Sequence, residues 1–408
     1  MPLEPMSNKQ SIKRFTQKHT HPEFTQNHIL SQNLRKSIHT MHRNGGDRVV
    51  LIADEEEQNN YIAANILQVN SNFIIPDETG ILYRTTKQCL ENHGYTIQIL
   101  DCTNPEKGMS YYPLEYIDSE EEIELLSDSF KSCENHDSLL EVATKTLFLL
   151  CLYYAQTLPM HQRRFAVLYN ILRESENVLG NTQNERASEY YQIWNTTFWY
   201  HQNQARLHLL KHFEELMSLE SRMSGPAFLF DEFDTSRQAV FVLNGHDTAL
   251  ARTFYTQVLY KLQRSSEHHG QRRLQRPVLI AVHTYIPSIM RHTFELEHSN
   301  IDMIFACHSL STIQRQYNYW WHYLVGLSDT LIVHKCSDNV TAEYIAAISW
   351  NKQYHGSLYN HPSHCPASLK QAVFSKPEDE YWIYIPSYYP IKDNKFHLMS
   401  HPHAEYLQ

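Results

Sequence analysis

An acidic turn follows the first strongly apolar segment of the chain and carries residue types that could do chemistry. Residues 49–52 are β-branched or aliphatic, and residues 54–57 are Asp-Glu-Glu-Glu. In α/β proteins the turn between a buried strand and the next helix often binds phosphate, because helix amide groups converge there. Such a turn needs glycines, a lysine and a hydroxyl side chain, and this one has none of them. It is either another kind of site or a nucleotide site that has been lost.

The segments around this turn predict a mostly parallel sheet. Apolar segments that predict buried strands recur along the chain at residues 49–52, 72–77, 95–100, 239–244, 277–282, 301–306 and 329–334. Helical patterns lie between them at residues 60–68, 81–93, 248–265 and 341–350. Strands and helices that alternate in this way form parallel sheets with right-handed crossovers. Residues 29–38 and 382–385 predict edge strands.

The middle of the chain predicts helices only. Between residues 119 and 223 apolar residues recur at intervals of three and four, and glycine is almost absent. The aromatic residues of this segment are predicted to pack in a core or at an interface: Trp194, Phe198, Trp199 and Tyr200. The predicted organisation is an irregular N-terminal arm (1–46), a first sheet segment (47–118), an all-α insertion (119–224), a second sheet segment (225–361) and a C-terminal tail (362–408).

Composition limits the partners and the compartment. The 408 residues carry a formal charge of −10, so the chain is a poor general ligand for duplex DNA. One basic segment, with Arg272, Arg273 and Arg276, is a weak candidate for a nucleic-acid contact, and a solvated loop is the favoured explanation. Seven cysteines without a CxxC pair indicate a reducing compartment. The longest apolar segment, residues 146–155, is about half of a membrane span.

Seven segments together carry a family pattern: residues 29–35, 65–68, 72–80, 82–86, 91–95, 328–332 and 341–345. In order and sequence they resemble the coupling ATPases of type IV secretion and conjugative DNA transfer, the TraG/TraD type. The resemblance implies an α/β fold of the RecA-like, P-loop NTPase type, with a mostly parallel sheet and an all-α insertion. The resemblance covers most of the chain, but it is absent at the phosphate-binding and catalytic motifs of the family.

In the register of that family, the phosphate-binding positions have lost the required residue types. The lysine position falls on Glu57 and the threonine position on Gln58. The glycine positions fall on acids, namely Asp54, Glu55 and Glu56. Carboxylates facing a triphosphate would oppose its binding, since like unit charges about 4 Å apart repel by roughly 4 kcal/mol at an effective dielectric near 20.

Three interpretations of the acidic turn stay open. The acids can cap the positive end of the following helix, where a carboxylate is worth about 0.3–1 kcal/mol. They can also form a plain exposed turn, or bind a cation. Open space faced by converging backbone N–H groups would favour a nucleotide site, and space filled by side chains would exclude one.

The other catalytic positions implied by the resemblance are changed as well. The Asp-Glu pair that binds magnesium and polarises water falls on Ala281 and Val282, and the glutamine that senses the γ-phosphate falls on His308. Asp77 is kept, but the Pro-Lys that follows it in the family is lost. We therefore expect no catalytic residues and no nucleotide cofactor.

Metal sites are weakly predicted. The histidine-containing segments 361–365 and 401–403 could supply zinc ligands, but a chain with 26 histidines has such clusters by chance. Cys102, Cys307 and Cys336 are predicted to pack at strand ends. We expect no metal site.

The sequence thus predicts a pseudo-ATPase, an accessory or regulatory subunit of type IV secretion or conjugative DNA transfer. Its implied partners are an active coupling ATPase or other secretion-system subunits, in an oligomer. Since the membrane helices usual at the N-terminus of the family have no counterpart, we expect a cytoplasmic protein recruited to the inner face of the plasma membrane. Two alternatives remain: an ATPase rebuilt around Asp231, Glu232 and Asp77, and a nucleic-acid-binding module that uses residues 272–276.

Overall fold

Short runs of β-branched and aliphatic residues form the strands of this protein. The computed structural model describes residues 7–39, 46–129, 138–174, 176–181, 183–230, 232–246, 248–268, 276–283, 300–350 and 367–407. The strands are β1 Asn27–Ile29, β2 Arg35–Ser37, β3 Arg48–Ile52, β4 Asn72–Asp77, β5 Thr96–Asp101, β6 Gln238–Leu243, β7 Val278–Val282, β8 Ile301–Cys307, β9 Thr330–Val333, β10 Glu380–Tyr384 and β11 Ile391–Asn394.

Nine of these strands form one sheet in the order β11-β10-β9-β3-β8-β7-β4-β6-β5. The seven strands from β9 to β5 pair in parallel, while β10 and β11 are antiparallel additions at one side. The central strands β3 and β7 are buried throughout, as expected where helices cover both faces of a parallel sheet. The predicted mostly parallel α/β sheet is confirmed.

Helices cover the sheet and fill the middle of the chain. Those before the middle are α1 Asn8–His19, α2 Glu55–Ile66 and α3 Ile81–Asn92. Those between β5 and β6 are α4 Glu120–Ser129, α5 Ser138–Thr157, α6 Phe165–Glu174, α7 Glu185–Thr196 and α8 Trp199–Glu220. The rest are α9 Glu232–Thr235, α10 Ala249–His268, α11 Leu310–Tyr317, α12 Trp321–Gly326, α13 Asn339–Trp350 and α14 Ala367–Phe374.

Among the helices between β5 and β6, α6 packs against α8, and α4, α7 and α8 pack against α5. This helix is apolar along most of its length and lies against α7 and α8. Among the described residues it alone has the length and composition to cross a membrane, and most of it is buried in the fold. Trp194 is buried here, whereas the neighbouring Phe198, Trp199 and Tyr200 are 62%, 63% and 49% exposed. The prediction of core packing therefore holds for Trp194 only.

Three local predictions are wrong. The N-terminal arm is not irregular, because Ser7 and Gln10 form a capping box that starts α1. The strand predicted within residues 29–38 is an antiparallel hairpin of β1 and β2, separate from the main sheet. The strand predicted at an edge, residues 382–385, is β10, which lies between β9 and β11.

Candidate functional site

A cavity of about 350 Å³ opens at the carboxyl edge of the sheet. Residues at or just after the ends of β3, β4, β6, β7 and β8 line it, together with α11 and Leu324 of α12. Strand ends and the helices that follow them form the usual ligand-binding edge of parallel α/β sheets. The fold therefore places an open cavity where the sequence predicts a lost nucleotide site.

The family register assigns nine positions to the lost nucleotide site. Four of them line this cavity: Glu55, Gln58, Val282 and His308. They meet because β8 pairs with both β3 and β7, which brings the ends of these three strands side by side. Five predicted positions do not line it: Asp54, Glu56, Glu57, Asp77 and Ala281. Ala281 is buried in the apolar core, since successive residues of a strand point to opposite faces.

The helix after β3 begins inside the acidic segment. Helix α2 starts at Glu55, five residues earlier than predicted, and Asp54 is its N-cap. The Asp54 carboxylate accepts a hydrogen bond from the Glu57 backbone N–H at 3.1 Å and lies 3.5 Å from the Lys335 ammonium. Burial raises the pKa of Asp54, but the Glu57 N–H, His334 and Lys335 outweigh it and lower the pKa below the ordinary value. The protein thus supplies its own anion to the positive end of α2.

Glu57, at the predicted lysine position, points away from the cavity. Its side chain is buried, accepts a hydrogen bond from the Tyr381 hydroxyl and lies 3.4 Å from the Lys395 ammonium. Residues three and four apart share one face of a helix, so Glu55, Gln58 and Asn59 line the cavity together. Glu57 lies on another face and meets the hairpin of β10 and β11. Glu57 is therefore not among the residues that line the cavity.

Asp77 has a structural role at the start of α3. Its two carboxylate oxygens accept hydrogen bonds from the backbone N–H groups of Leu82, at 3.2 Å, and Tyr83, at 2.7 Å. Gly80 provides the left-handed conformation, φ 71°, that turns the chain between β4 and α3. Burial raises the pKa of the Asp77 carboxyl even though these N–H groups oppose the shift.

Three imidazoles line the cavity beside the acids. They belong to His246, His283 and His308. Burial lowers the pKa of His283 to about 4, and the other two histidines add to the effect, so His283 is uncharged at neutral pH. Sequence reasoning missed His246, because only the pairing of β6 with β4 brings it to this edge.

No lysine or arginine is among the described residues that line the cavity, whereas Glu55 and Glu78 are. Glu78 is half-buried, and burial raises its pKa against the opposing effect of the His246 and Gly245 backbone N–H groups. Within the described ranges, no group of three or more His, Cys, Asp or Glu residues could hold a metal ion. The space is open, and the residues that line it include two acids and three histidines.

The two described residues of the rebuilt-site hypothesis, Glu232 and Asp77, do not come together. Asp231 lies outside the described residues. Glu232 accepts a hydrogen bond from the side chain of Gln238, the first residue of β6, while Asp77 ends the neighbouring strand β4. Since a six-residue strand spans about 16 Å, Glu232 and Asp77 lie at opposite edges of the sheet.

The remaining candidates take structural positions or cannot be placed. Arg272, Arg273 and segment 361–365 lie outside the described residues, and Arg276 is half-buried just before β7. His401 bonds Gln68 through Nε2, at 3.2 Å, and His403 donates from Nδ1 to the Leu67 carbonyl, at 2.7 Å. Both therefore fasten the C-terminal segment to the end of α2.

A scan against protein-family models and a search of curated proteins give no match to this sequence. Solved structures do match. The bacterial conjugative coupling protein TrwBdeltaN70, in its unbound form, aligns at 10% identity and a TM-score of 0.65, over 96% of this chain and 92% of that one. This chain has the fold of a conjugative coupling protein.

Two further structures extend the comparison. Plasmid coupling protein TrwB in complex with ADP and Mg²⁺ aligns at 10% identity and a TM-score of 0.63, over 96% of this chain and 93% of that chain. VirB4 of Thermoanaerobacter pseudethanolicus aligns at 12% identity and a TM-score of 0.56, over 92% and 97%. The predicted RecA-like fold is confirmed, and at these identities the likeness concerns the fold alone.

Proposed function

We propose that this protein is a pseudo-ATPase, an accessory or regulatory subunit of type IV secretion or conjugative DNA transfer. It combines the fold of the coupling proteins with a carboxyl-edge cavity that is unsuited to a nucleoside triphosphate. The observation that carries the proposal is the charge of this cavity, which is lined by Glu55 and Glu78 and by no lysine or arginine of the described residues.

The physical argument concerns charge balance. Phosphate loops balance a triphosphate with backbone N–H groups, a lysine and a magnesium ion. In this protein Asp54 takes the N–H of Glu57, and Glu57 itself is engaged by Tyr381 and Lys395. The end of β7 carries Ala281 and Val282, which can neither bind a metal nor polarise water. The carboxyl edge of the sheet therefore lacks the residues for phosphate binding, for metal binding and for water activation.

TrwB has been solved in complex with ADP and Mg²⁺ and with an ATP analogue, so that protein binds nucleotides. We propose that the present protein keeps the scaffold for protein contacts. Its partners would be an active coupling ATPase or other secretion-system subunits, within a hetero-oligomer. It would act in the cytoplasm, recruited to the inner face of the plasma membrane.

Calorimetry with Mg·ATP tests the first half of the proposal. We expect no binding tighter than about millimolar, which corresponds to roughly −4 kcal/mol, and no phosphate release in a hydrolysis assay. An active coupling ATPase in the same buffer is the positive control. Micromolar binding or measurable hydrolysis would overturn the pseudo-ATPase assignment.

Co-purification tests the second half. The tagged protein, expressed together with the coupling ATPase and the VirB4-type ATPase of the same genome, should recover at least one of them at a defined ratio. Recovery of neither would contradict the accessory role while leaving the loss of nucleotide chemistry intact.

A further inference from the structure

We propose that the carboxyl-edge cavity binds a small organic cation, an amine with an aromatic or other apolar body. This inference rests on the proposed function, because it gives the former nucleotide cavity a ligand of opposite charge.

The size and walls of the cavity set the body of the ligand. Its volume of about 350 Å³ lies at the lower end of the range of small-molecule pockets, about 300–1,000 Å³. The apolar side chains of Val282, Phe305, Ile313, Tyr317 and Leu324 line it. Such a space accepts one ring with a short side chain.

The acids set the charge of the ligand. Glu55 approaches from the first turn of α2, after β3, and Glu78 from the turn after β4. Strands β8 and β7 lie between β3 and β4 in the sheet, so the two carboxylates flank the cavity from different sides. A cation between them gains Coulomb energy from both, whereas an anion is repelled by both.

Neutral groups complete the site. His283 is uncharged at neutral pH, so it contributes hydrogen-bonding capacity without positive charge. Tyr317 and Phe305 present aromatic rings, and cations are attracted to ring faces within about 6 Å. A cation should also favour the ionised form of Glu78, whose pKa burial raises.

A matched series of ligands isolates the charge. Tyramine, 4-ethylphenol and 4-hydroxyphenylacetate share a phenol ring and differ in carrying a positive, no or a negative charge. Titrated into the full chain at pH 7.5 in low salt, tyramine should bind at least about tenfold more tightly than 4-ethylphenol, a difference of about 1.4 kcal/mol. 4-Hydroxyphenylacetate should give no measurable binding. Mg·ATP is titrated in parallel.

Two variants in the same helical turn provide the control. Glu55→Gln removes a carboxylate that lines the cavity and should weaken tyramine binding about tenfold. Glu55 and Glu56 are both exposed, but Glu56 does not line the cavity, so Glu56→Gln should leave binding unchanged. An equal loss in both variants would mean that the field of the whole acidic turn, rather than this cavity, attracts the ligand, and would overturn the assignment.

The outcomes separate the two proposals. If 4-ethylphenol binds as tightly as tyramine, or if no member of the series binds, the cation site is wrong and the pseudo-ATPase assignment stands. If Mg·ATP binds more tightly than tyramine, both proposals fail. Tyramine binding that is lost in Glu55→Gln and kept in Glu56→Gln supports the cation site.

Discussion

The Tyr381 hydroxyl donates a hydrogen bond to the Glu57 carboxylate, across 324 residues of sequence. This contact ties the first turn of α2 to the hairpin of β10 and β11, and Lys395, the residue after β11, adds an ion pair at 3.4 Å. In the family pattern this position is a phosphate-binding lysine. Here it is Glu57, which binds the C-terminal hairpin. The Glu57 carboxylate can stabilise the fold at this point because it is buried and has two partners, Tyr381 and Lys395.

Removing the Tyr381 hydroxyl should destabilise the protein measurably. In Tyr381→Phe, Glu57 keeps only the ion pair to Lys395, and a hydrogen bond to a charged group is worth about 1.5–3 kcal/mol. We expect a loss of this size in the free energy of unfolding, measured by urea denaturation followed by circular dichroism.

Tyr388→Phe is the matched control for that change. It removes a hydroxyl from the same C-terminal region, where Tyr388 contacts His19 at 3.0 Å in a half-buried setting. The expected loss is about 1 kcal/mol or less, because neutral hydrogen bonds contribute less. Equal losses in the two variants would contradict a special role for the Glu57 contact.

Restoring the phosphate-loop residues should not restore nucleotide binding. In the double variant Glu57→Lys and Gln58→Thr, the new ammonium lies beside Lys395 in a buried position, while the glycines and the Asp-Glu pair stay absent. Breaking a buried ion pair costs about 3–5 kcal/mol. We expect a lower melting temperature and no heat of Mg·ATP binding in calorimetry. A folded double variant with micromolar affinity for ATP would refute this account.

The cap of α2 gives a prediction that separates hydrogen bonding from charge. Asp54→Ala loses the side-chain bond to the Glu57 N–H and should cost about 1 kcal/mol, whereas Asp54→Asn keeps an acceptor and should cost a few tenths. Unfolding in urea at pH 7 measures both. Similar losses in the two variants would show that the charge of Asp54, and not its cap, is what stabilises the helix.

The central sheet could be predicted from sequence because its strands are continuous apolar runs, such as residues 49–52 and 278–282, which are buried on both faces. Strand β11 could not, since only Ile391 and Asp393 of its four residues are buried and one of them is charged. Helix α1 carried a signal that was overlooked, the pair Ser7 and Gln10 of a capping box.

The candidate site was predictable only in part. Family register located the strand ends, and with them Glu55, Gln58, Val282 and His308. It could not say which acid faces the cavity, because that depends on where α2 begins, and the first helical residue decides the face of every later one. The contact of Glu57 with a hairpin near the C-terminus leaves no local trace in the sequence.

Two tryptophans five residues apart should respond differently to truncation. Trp194 is 2% exposed inside the helical block, and Trp199 is 63% exposed at its surface. Removing a buried aromatic side chain costs about 3–5 kcal/mol, while a surface substitution usually stays within about 0.5 kcal/mol. Urea unfolding of Trp194→Ala and Trp199→Ala should reproduce this contrast. A large loss in Trp199→Ala would mean that its ring is covered in solution.

Acid should loosen the C-terminal segment through His401. This imidazole donates from Nε2 to Gln68 and accepts at Nδ1 from the His403 backbone N–H, at 3.0 Å, so protonation of Nδ1 would break an existing bond. Burial, with a further contribution from His403, lowers the pKa of His401 to about 3. The folded protein therefore resists a proton that the unfolded chain accepts near pH 6.5.

The sign of the pH effect follows from that difference. Above about pH 6.5 both states are neutral at His401 and nothing is lost; below it, stability falls by up to about 1.4 kcal/mol per pH unit until the folded pKa is reached. Urea unfolding at pH 7, 6 and 5 should show a flatter pH dependence in His401→Gln than in the unchanged protein. His397→Gln, an exposed histidine of the same segment, should keep the original slope. If His401→Gln kept it too, the proton taken up on unfolding would have to come from another buried histidine, and His212, whose pKa burial also lowers to about 3, would be the next to replace.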